Sequence, residues 1–266
     1  MKILFIIGNH SRHKYLVNYI NKFLKVSGVI IMERENYIPK LSKNLDKLDK
    51  NNYLKHFKDR ENKEKRYFCN QDIKILNAIK LKSKDLNGYK SINFIKKIKP
   101  TITIVFGADL IKEPLLKFLP QDTINLHLGI SPRYRGAATL FWPFYFLEPD
   151  HAGGTFHYIS NEPDAGDIIH QFVPRLMLTD KIHDVGCKVV IKAAQELLKL
   201  LKLRKKKKWL IYKQKTTGKQ FLISDFKPQH LRLIYNVFNN NLVKLHLNKK
   251  LISKKPFLFN QFKKIK

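Results

Sequence analysis

Cysteines and long apolar runs are scarce in this chain of 266 residues. The two cysteines, Cys69 and Cys187, are spaced in a way that suggests neither metal ligation nor a redox pair, and so few cysteines fit a reducing compartment. The N-terminal apolar run covers only residues 3–7, which is too short for a signal peptide or a membrane span. The sequence therefore predicts a cytoplasmic protein without stable membrane insertion.

Acidic residues are also few. The chain has 52 lysines and arginines against 21 acidic residues, which gives a formal net charge of +31. Such a charge favours nucleic acid or an anionic surface as a partner. The basic residues, however, are mostly lysines spread along the whole chain, whereas an RNA site concentrates arginines and aromatic residues. The charge is therefore equally compatible with compositional bias or with a phosphate-rich ligand.

Glycine is absent from residues 33–87, and charges of both signs crowd into residues 55–66. Mixed charges of this kind are typical of a solvated helix face. We therefore predict a helical insertion at residues 34–87. The alternative is that this insertion lines a binding cleft.

Three continuous apolar or β-branched runs, at residues 3–7, 29–32 and 101–106, predict buried parallel strands. Helical patterns alternate with them, so we expect an α/β fold with a doubly wound, Rossmann-like sheet and helices on both faces. Asp109 follows the third strand, where ligands bind in open α/β sheets, so it is a candidate for a ligand-pocket wall. The preferred alternative is that it is the N-cap of a helix that runs through Leu116.

The first of these strands leads into a turn and a helix, for which Ser11 is the predicted N-cap. The N-terminal end of a helix attracts anions. The turn that holds Gly8, Asn9, Ser11 and Arg12 is therefore a candidate site for a phosphate or pyrophosphate, although it has no Gly-x-Gly-x-x-Gly pattern.

Asn125 and His127 belong to another predicted strand, and Asp164 lies in a loop further along the chain. Residues i and i+2 of a strand point to the same side, so the amide and the imidazole converge on one reacting atom. Both groups donate hydrogen bonds to an oxyanion, and a nearby carboxylate favours the cationic imidazole. These residues predict an acyl-transfer site. Ser131 has no Gly-x-Ser-x-Gly elbow around it, which argues against a serine hydrolase.

Residues 101–171 resemble the catalytic core of the folate-dependent formyltransferases, a family that acts on glycinamide ribonucleotide, methionyl-tRNA and nucleotide-linked amino sugars. The motifs occur in the family's order: Asn125 and His127, a proline- and arginine-bearing loop at residues 131–136, a glycine- and threonine-bearing strand with a histidine at residues 153–157, and an Asp-x-Gly loop at residues 164–166. The likeness weakens before residue 101 and after about residue 203.

The resemblance implies that 10-formyltetrahydrofolate is the co-substrate, that no metal is needed and that a primary amine attacks the formyl carbon directly. Asn125 and His127 would stabilise the oxyanion, and Asp164 would support His127. The candidates for folate binding are Phe106, Gly107, Ile159, Asp164 and Gly166. The candidates for acceptor binding are Gly8, Asn9, Ser11, Arg12, Arg133, Arg135 and His157, although a histidine on a half-buried strand, such as His157, is commonly structural.

We predict a catalytic domain at residues 1–203 and a small basic C-terminal appendage, formed by a hairpin and a helical tail, at residues 204–266. This appendage is short for the barrel that holds tRNA in the methionyl-tRNA enzymes, so a nucleotide-linked amino sugar is the preferred acceptor. Methionyl-tRNA, glycinamide ribonucleotide and water remain alternatives within the family. An RNA-binding protein on a formyltransferase fold is the non-enzyme alternative. Because the sugar branch commonly forms dimers, a homodimer is left open.

Overall fold

A seven-stranded sheet forms the centre of the molecule. The computed structural model describes residues 1–33, 41, 44–69, 72–160, 162–214 and 218–262. The strands of the sheet are β1 (Ile3–Gly8), β2 (Val26–Glu33), β3 (Ala78–Lys82), β4 (Ile102–Phe106), β5 (Thr123–His127), β7 (Gly154–Tyr158) and β8 (Ile168–Phe172). The two short strands β6 (Arg135–Gly136) and β9 (Gln220–Phe221) pair with each other.

The strand order is β3-β2-β1-β4-β5-β7-β8. The strands from β3 to β5 are parallel, whereas β7 and β8 run antiparallel to their neighbours. The carboxyl ends of β1, β4 and β5 therefore meet at one edge of the sheet, where ligands bind in open α/β folds.

Helices cover both faces of the sheet: α1 (Ser11–Asn21), α2 (Lys47–Phe68), α3 (Tyr89–Ile98), α4 (Trp142–Tyr145), α5 (Ile182–Arg204) and α6 (Leu242–Leu247). Alternate residues of β1 explain the two layers. Phe5 belongs to one core with α1 and α5, whereas Ile6 belongs to a second core with α3. This architecture confirms the predicted Rossmann-like α/β fold. No helix in the described part of the chain is long and apolar enough to cross a membrane.

Both predicted helix caps are wrong. Ser11 is the first residue of α1, and His10 occupies the N-cap position. Asp109 begins no helix, because the next helical turn, Leu115–Phe118, lies further on. The carboxylate of Asp109 instead accepts a hydrogen bond from the Ser83 hydroxyl, and its N–H donates to the sulfur of Met32. Asp109, which follows β4, thus contacts residues at the ends of β2 and β3.

The predicted insertion at residues 34–87 is not helical throughout. Helix α2 fills only part of it and packs against α1 and α5, while β3 adds an edge strand to the main sheet beside β2. Residues 34–40, 42, 43, 70 and 71 of the insertion lie outside the described residues. The lysines of β3 are exposed, as is typical of an edge strand. Because they interrupt the apolar residues, β3 lacks the continuous apolar run that predicts a buried strand.

The residues after α5 pack onto the rest of the chain. No hairpin is present in the described part of this segment, because β9 pairs in parallel with the distant β6. Phe221 of β9 stacks on Trp142 of α4 with ring centroids 4.6 Å apart. This contact favours the position of β9 beside β6 over pairing with a strand nearby in the sequence. Trp209 and Ile234 belong to the same hydrophobic core as α1 and α5. The segment therefore shares the core of residues 1–203.

Candidate active site

Strand β5 presents two polar side chains near its carboxyl end. Asn125 and His127 are two residues apart and therefore lie on the same side of the strand. The antiparallel register of β7 pairs Asn125 with His157. Two imidazoles and one amide are thereby brought together by strand geometry alone.

The carboxylate of Asp164 joins these groups. Its Oδ2 atom lies 3.2 Å from Nδ1 of His127 and accepts a hydrogen bond of 3.1 Å from the N–H of Gly136. Its Oδ1 atom lies 3.2 Å from Nδ2 of Asn125 and 3.5 Å from Nε2 of His157. The structure thus places the three predicted catalytic residues in direct contact and adds His157 to them.

The surroundings of Asp164 stabilise its negative charge. Burial opposes ionisation of this carboxyl. The charge of His127, the hydrogen bond and charge of His157, and the N–H of Gly136 outweigh that effect and hold the pKa of Asp164 well below its usual range. Asp164 is therefore a carboxylate at neutral pH.

Both nitrogens of the His127 imidazole face acceptors. Nε2 lies 2.7 Å from the carbonyl oxygen of Tyr134, and Nδ1 faces Asp164. The imidazole is therefore held between a carboxylate oxygen and a carbonyl oxygen. The Nδ2 atom of Asn125 lies 3.1 Å from Nε2 of His157 as well as close to Asp164. Each candidate oxyanion donor is thus already within reach of an acceptor.

The loop that carries Asp164 is held in an unusual backbone conformation. Asp164 has φ = +52°, in the left-handed region that few non-glycine residues adopt. A Cβ atom at Gly166 would overlap the carbonyl oxygen of Tyr158. Gln214 donates from Nε2 to the carbonyl oxygens of Asp164 (3.0 Å) and Gly166 (2.8 Å). Sequence reasoning missed Gln214, because it belongs to no motif and is separated from the loop by about fifty residues.

The Asp164 loop borders two cavities. The larger, about 1320 Å³, is lined by Asp164 and Gly136 together with residues of α2 and α5. The smaller, about 620 Å³, is lined by Ile159 and Gly166 together with Leu116 and other residues. The site therefore has room for one ligand on each side of the loop.

Three of the five folate-binding candidates do not line the smaller cavity: Asp164, which lines the larger one, and Phe106 and Gly107. Phe106 is buried against His13, with ring centroids 4.6 Å apart. Gly107 has φ = +66°, and a Cβ atom there would overlap the same imidazole. These two residues thus pack at the ends of β4 and β1, whereas Ile159 and Gly166 line the smaller cavity itself.

The acceptor-binding candidates are dispersed. Arg12 lines the larger cavity and bonds Glu64 at 2.7 and 2.9 Å. Arg133 is exposed and pairs with Glu148 at 2.6 Å. Arg135 is buried, and its Nε and Nη1 atoms make no hydrogen bond within the described residues. The remaining candidates in the N-terminal turn do not line this cavity: Gly8, Asn9 and Ser11.

Two buried histidines lie in the wall of the larger cavity. His56 on α2 and His183 on α5 have ring centroids 4.4 Å apart. Burial, the neighbouring histidine and the charge of Arg60 hold the pKa of His56 well below its ordinary value. Burial and the charge of Arg60 lower the pKa of His183 to about 3. Both imidazoles are therefore neutral at physiological pH.

The chain is similar to proteins of known family. Residues 1–201 match the family model described as formyl transferase. Over 144 residues the chain is 31% identical to the methionyl-tRNA formyltransferase of Azobacteroides pseudotrichonymphae genomovar. CFP2, and this match covers 50% of the chain and 42% of that relative. The chain therefore matches less than half the length of this curated relative.

Two solved structures of low sequence identity share the fold. The N-formyltransferase of Helicobacter canadensis, in complex with folinic acid and dTDP-3-aminofucose, is 18% identical with a TM-score of 0.54, covering 85% of this chain and 73% of that one. The phosphoribosylglycinamide formyltransferase of Anaplasma phagocytophilum is also 18% identical with a TM-score of 0.54, covering 77% of this chain and 86% of that one. Because the family model matches most of its length, the chain belongs to the formyl transferase family.

Proposed function

We propose that this protein transfers a formyl group from 10-formyltetrahydrofolate to a primary amine, and that the amine is carried by a nucleotide-linked amino sugar. The observation that carries the proposal is the cluster of Asn125, His127 and Asp164 on a loop and strand end between two cavities. Membership of the family supports formyl transfer. The folate and sugar nucleotide of the Helicobacter canadensis complex support the two substrates.

The folate would supply the formyl carbon, bonded to its N10 atom. The amine nitrogen forms the new bond to that carbon, the carbon–N10 bond breaks, and the proton that the amine loses is balanced by one that N10 gains. Asn125 and His127 would donate to the formyl oxygen as negative charge develops on it, worth about 3 to 4 kcal/mol per donor. Because both donors already face acceptors, the formyl oxygen would bind as a further acceptor or displace one of them.

Asp164 would act through its charge. Its lowered pKa makes it a poor general base, so its contribution is to stabilise the imidazolium of His127 and to orient a water that carries the amine proton. The N–H of Gly136 fixes one oxygen of the carboxylate. Nε2 of His157 lies beside the other carboxylate oxygen, Oδ1. The Nδ1 atom of His157 lies 2.8 Å from the Tyr158 carbonyl oxygen.

The two cavities suit the two substrates. The smaller has an apolar wall, formed by Leu116, Leu119 and Ile159, that would hold a planar pterin ring. The larger lies on the side of Asp164 and would hold the acceptor. A methionyl-tRNA acceptor is the second candidate, favoured by the Azobacteroides relative.

The test is tetrahydrofolate release by the purified chain, with 10-formyltetrahydrofolate and separate acceptors: nucleotide-linked amino sugars, glycinamide ribonucleotide, charged initiator tRNA and none. We expect release that depends on an amino sugar. Release that depends only on the tRNA would establish the second candidate. Equal release in every reaction, including the one without acceptor, would indicate a hydrolase and overturn the proposal.

A further inference from the structure

We infer that helix α2 carries an anion-binding site for the acceptor, in which Arg60 binds a phosphate or diphosphate group. This inference rests on the proposed function only in naming the ligand as the acceptor. The geometry begins with a stripe on α2: His56, Arg60, Glu64 and Phe68 are spaced four residues apart and all line the larger cavity. One face of α2 is thus a wall of the cavity that also contains Asp164.

The charges on this wall do not cancel. Glu64 accepts from Nη1 of Arg12 at 2.7 Å and from Nε of Arg60 at 3.0 Å, so one carboxylate is shared by two guanidinium groups. Burial opposes ionisation of Glu64, but the charges of Arg12 and Arg60 lower its pKa. The three side chains therefore carry a net charge of about +1 inside the cavity.

The other charged side chains that line the cavity are two lysines and three carboxylates. Lys82 and Lys84 are matched in number by Glu33 and Asp109, and all four line the cavity. The two histidines of the wall are neutral, and the charge of Asp164 faces His127. At the wall formed by α2, the charged lining side chains are thus two guanidinium groups and the one carboxylate that they share.

Arg60 has hydrogen-bond donors that are available to a ligand in the cavity. It bonds Glu64 through Nε, and its two terminal NH₂ groups make no hydrogen bond with any residue the structure describes. Its side chain is 29% exposed and lines the cavity, while its Nε atom is held by Glu64. A fixed guanidinium fork with free terminal N–H groups matches two oxygens of a phosphate.

An aromatic surface lies further along the same cavity. Phe141 and Phe226 meet edge to face with centroids 4.8 Å apart, and Phe57 lies 6.3 Å from Phe226. All three line the cavity. These rings suit the flat, less polar part of a ligand whose phosphate lies at Arg60. The cavity of about 1320 Å³ is large enough for such a nucleotide-sized molecule.

Binding of three probes to the full chain tests the inference: inorganic pyrophosphate, dTDP and thymidine. Isothermal titration calorimetry at one fixed salt concentration would compare the wild type with R60Q, R60K and R66Q. Arg66 is the matched control, because it is an exposed arginine of the same helix that does not line the cavity. The control corrects for the attraction that any anion feels for a chain of this net charge.

We expect R60Q to weaken the binding of dTDP and of pyrophosphate by about tenfold. R66Q should weaken the same binding by less than about twofold. Thymidine should bind R60Q as it binds the wild type. R60K keeps the charge but loses the fork, so an intermediate loss of about threefold is expected, and this variant decides the question if R60Q does not fold. Equal losses in R60Q and R66Q, unchanged binding in the folded Arg60 variant, or no binding of either phosphate probe by the wild type would overturn the inference.

Binding and turnover separate this inference from the proposed function. If binding of the phosphate probes depends on Arg60 but no acceptor causes tetrahydrofolate release, the anion site is supported and the proposed reaction is refuted. If formyl transfer occurs and the KM for the acceptor is the same in R60Q as in the wild type, the proposed reaction is supported and the anion site is refuted.

Discussion

The Oδ2 atom of Asp164 lies 3.2 Å from Nδ1 of His127, while Nε2 of the same imidazole lies 2.7 Å from the Tyr134 carbonyl oxygen. A carboxylate oxygen and a carbonyl oxygen thus contact the two nitrogens of the ring. This relationship fixes the orientation of the His127 imidazole beside Asn125, and it makes the charge of Asp164 the feature on which the proposed chemistry depends.

Replacing Asp164 by Asn should lower kcat by a factor of about 10² to 10⁴ with little effect on folding. Asparagine tolerates the positive φ of this position but lacks the charge that stabilises the imidazolium. The measurement is steady-state tetrahydrofolate release together with thermal unfolding. His127→Asn should behave in the same way, and full activity in either variant would contradict the assigned roles.

Replacing Gly166 by Ala should displace the Asp164 loop, because a methyl group there would overlap the Tyr158 carbonyl oxygen. We expect a loss of about 1 to 3 kcal/mol in the free energy of unfolding and a fall in kcat. Gly186 on α5 is the matched control, since the nearest atom to its added methyl would be 3.7 Å away. Gly186→Ala should raise the free energy of unfolding by about 0.5 to 1 kcal/mol in urea denaturation. Equal effects of the two changes would disprove the steric argument.

Replacing Gln214 by Ala should lower kcat about tenfold while KM changes little, because Gln214 orients the loop and touches neither cavity. Gln214→Glu should be at least as harmful, since a carboxylate donates no hydrogen bond to the two carbonyl oxygens. Gln229, an exposed glutamine of the same C-terminal segment, is the control, and Gln229→Ala should keep wild-type kinetics. If Gln214→Ala raised KM and left kcat unchanged, the loop-positioning role would be wrong.

Acid should destabilise the protein through His56 and His183. Their pKa values are lowered in the folded chain, so below about pH 6.5 the unfolded chain takes up protons that the folded chain does not. The free energy of unfolding should therefore fall as the pH falls, by up to about 1.4 kcal/mol per pH unit for each histidine, until the pH approaches the folded-state value of about 3 for His183.

The double variant with phenylalanine at positions 56 and 183 should show a flatter pH dependence than the wild type. Urea denaturation between pH 7 and pH 5 measures the two slopes. Parallel slopes in the two proteins would show that these histidines do not cause the acid sensitivity.

Much of the site was accessible from the sequence because its determinants are local. Spacing by two residues on a strand puts Asn125 and His127 on one side whatever the rest of the fold does. Continuous apolar runs identified β1, β2 and β4, because a strand buried on both faces admits few polar residues. Local cues misled at Ser11, which is the first residue of α1 and not its cap, and at Asp109, which accepts a hydrogen bond from Ser83 instead.

The sequence by itself determined the family's motifs, the buried strands and the chemical types in the cluster, since each depends on spacing or composition within a short segment. Only the tertiary structure decided that Gln214 holds the Asp164 loop, that α2 turns Arg60 towards the cavity and that β9 pairs with β6. Those contacts join residues far apart in the chain. Their partners are selected by the packing of whole elements, which no local pattern encodes.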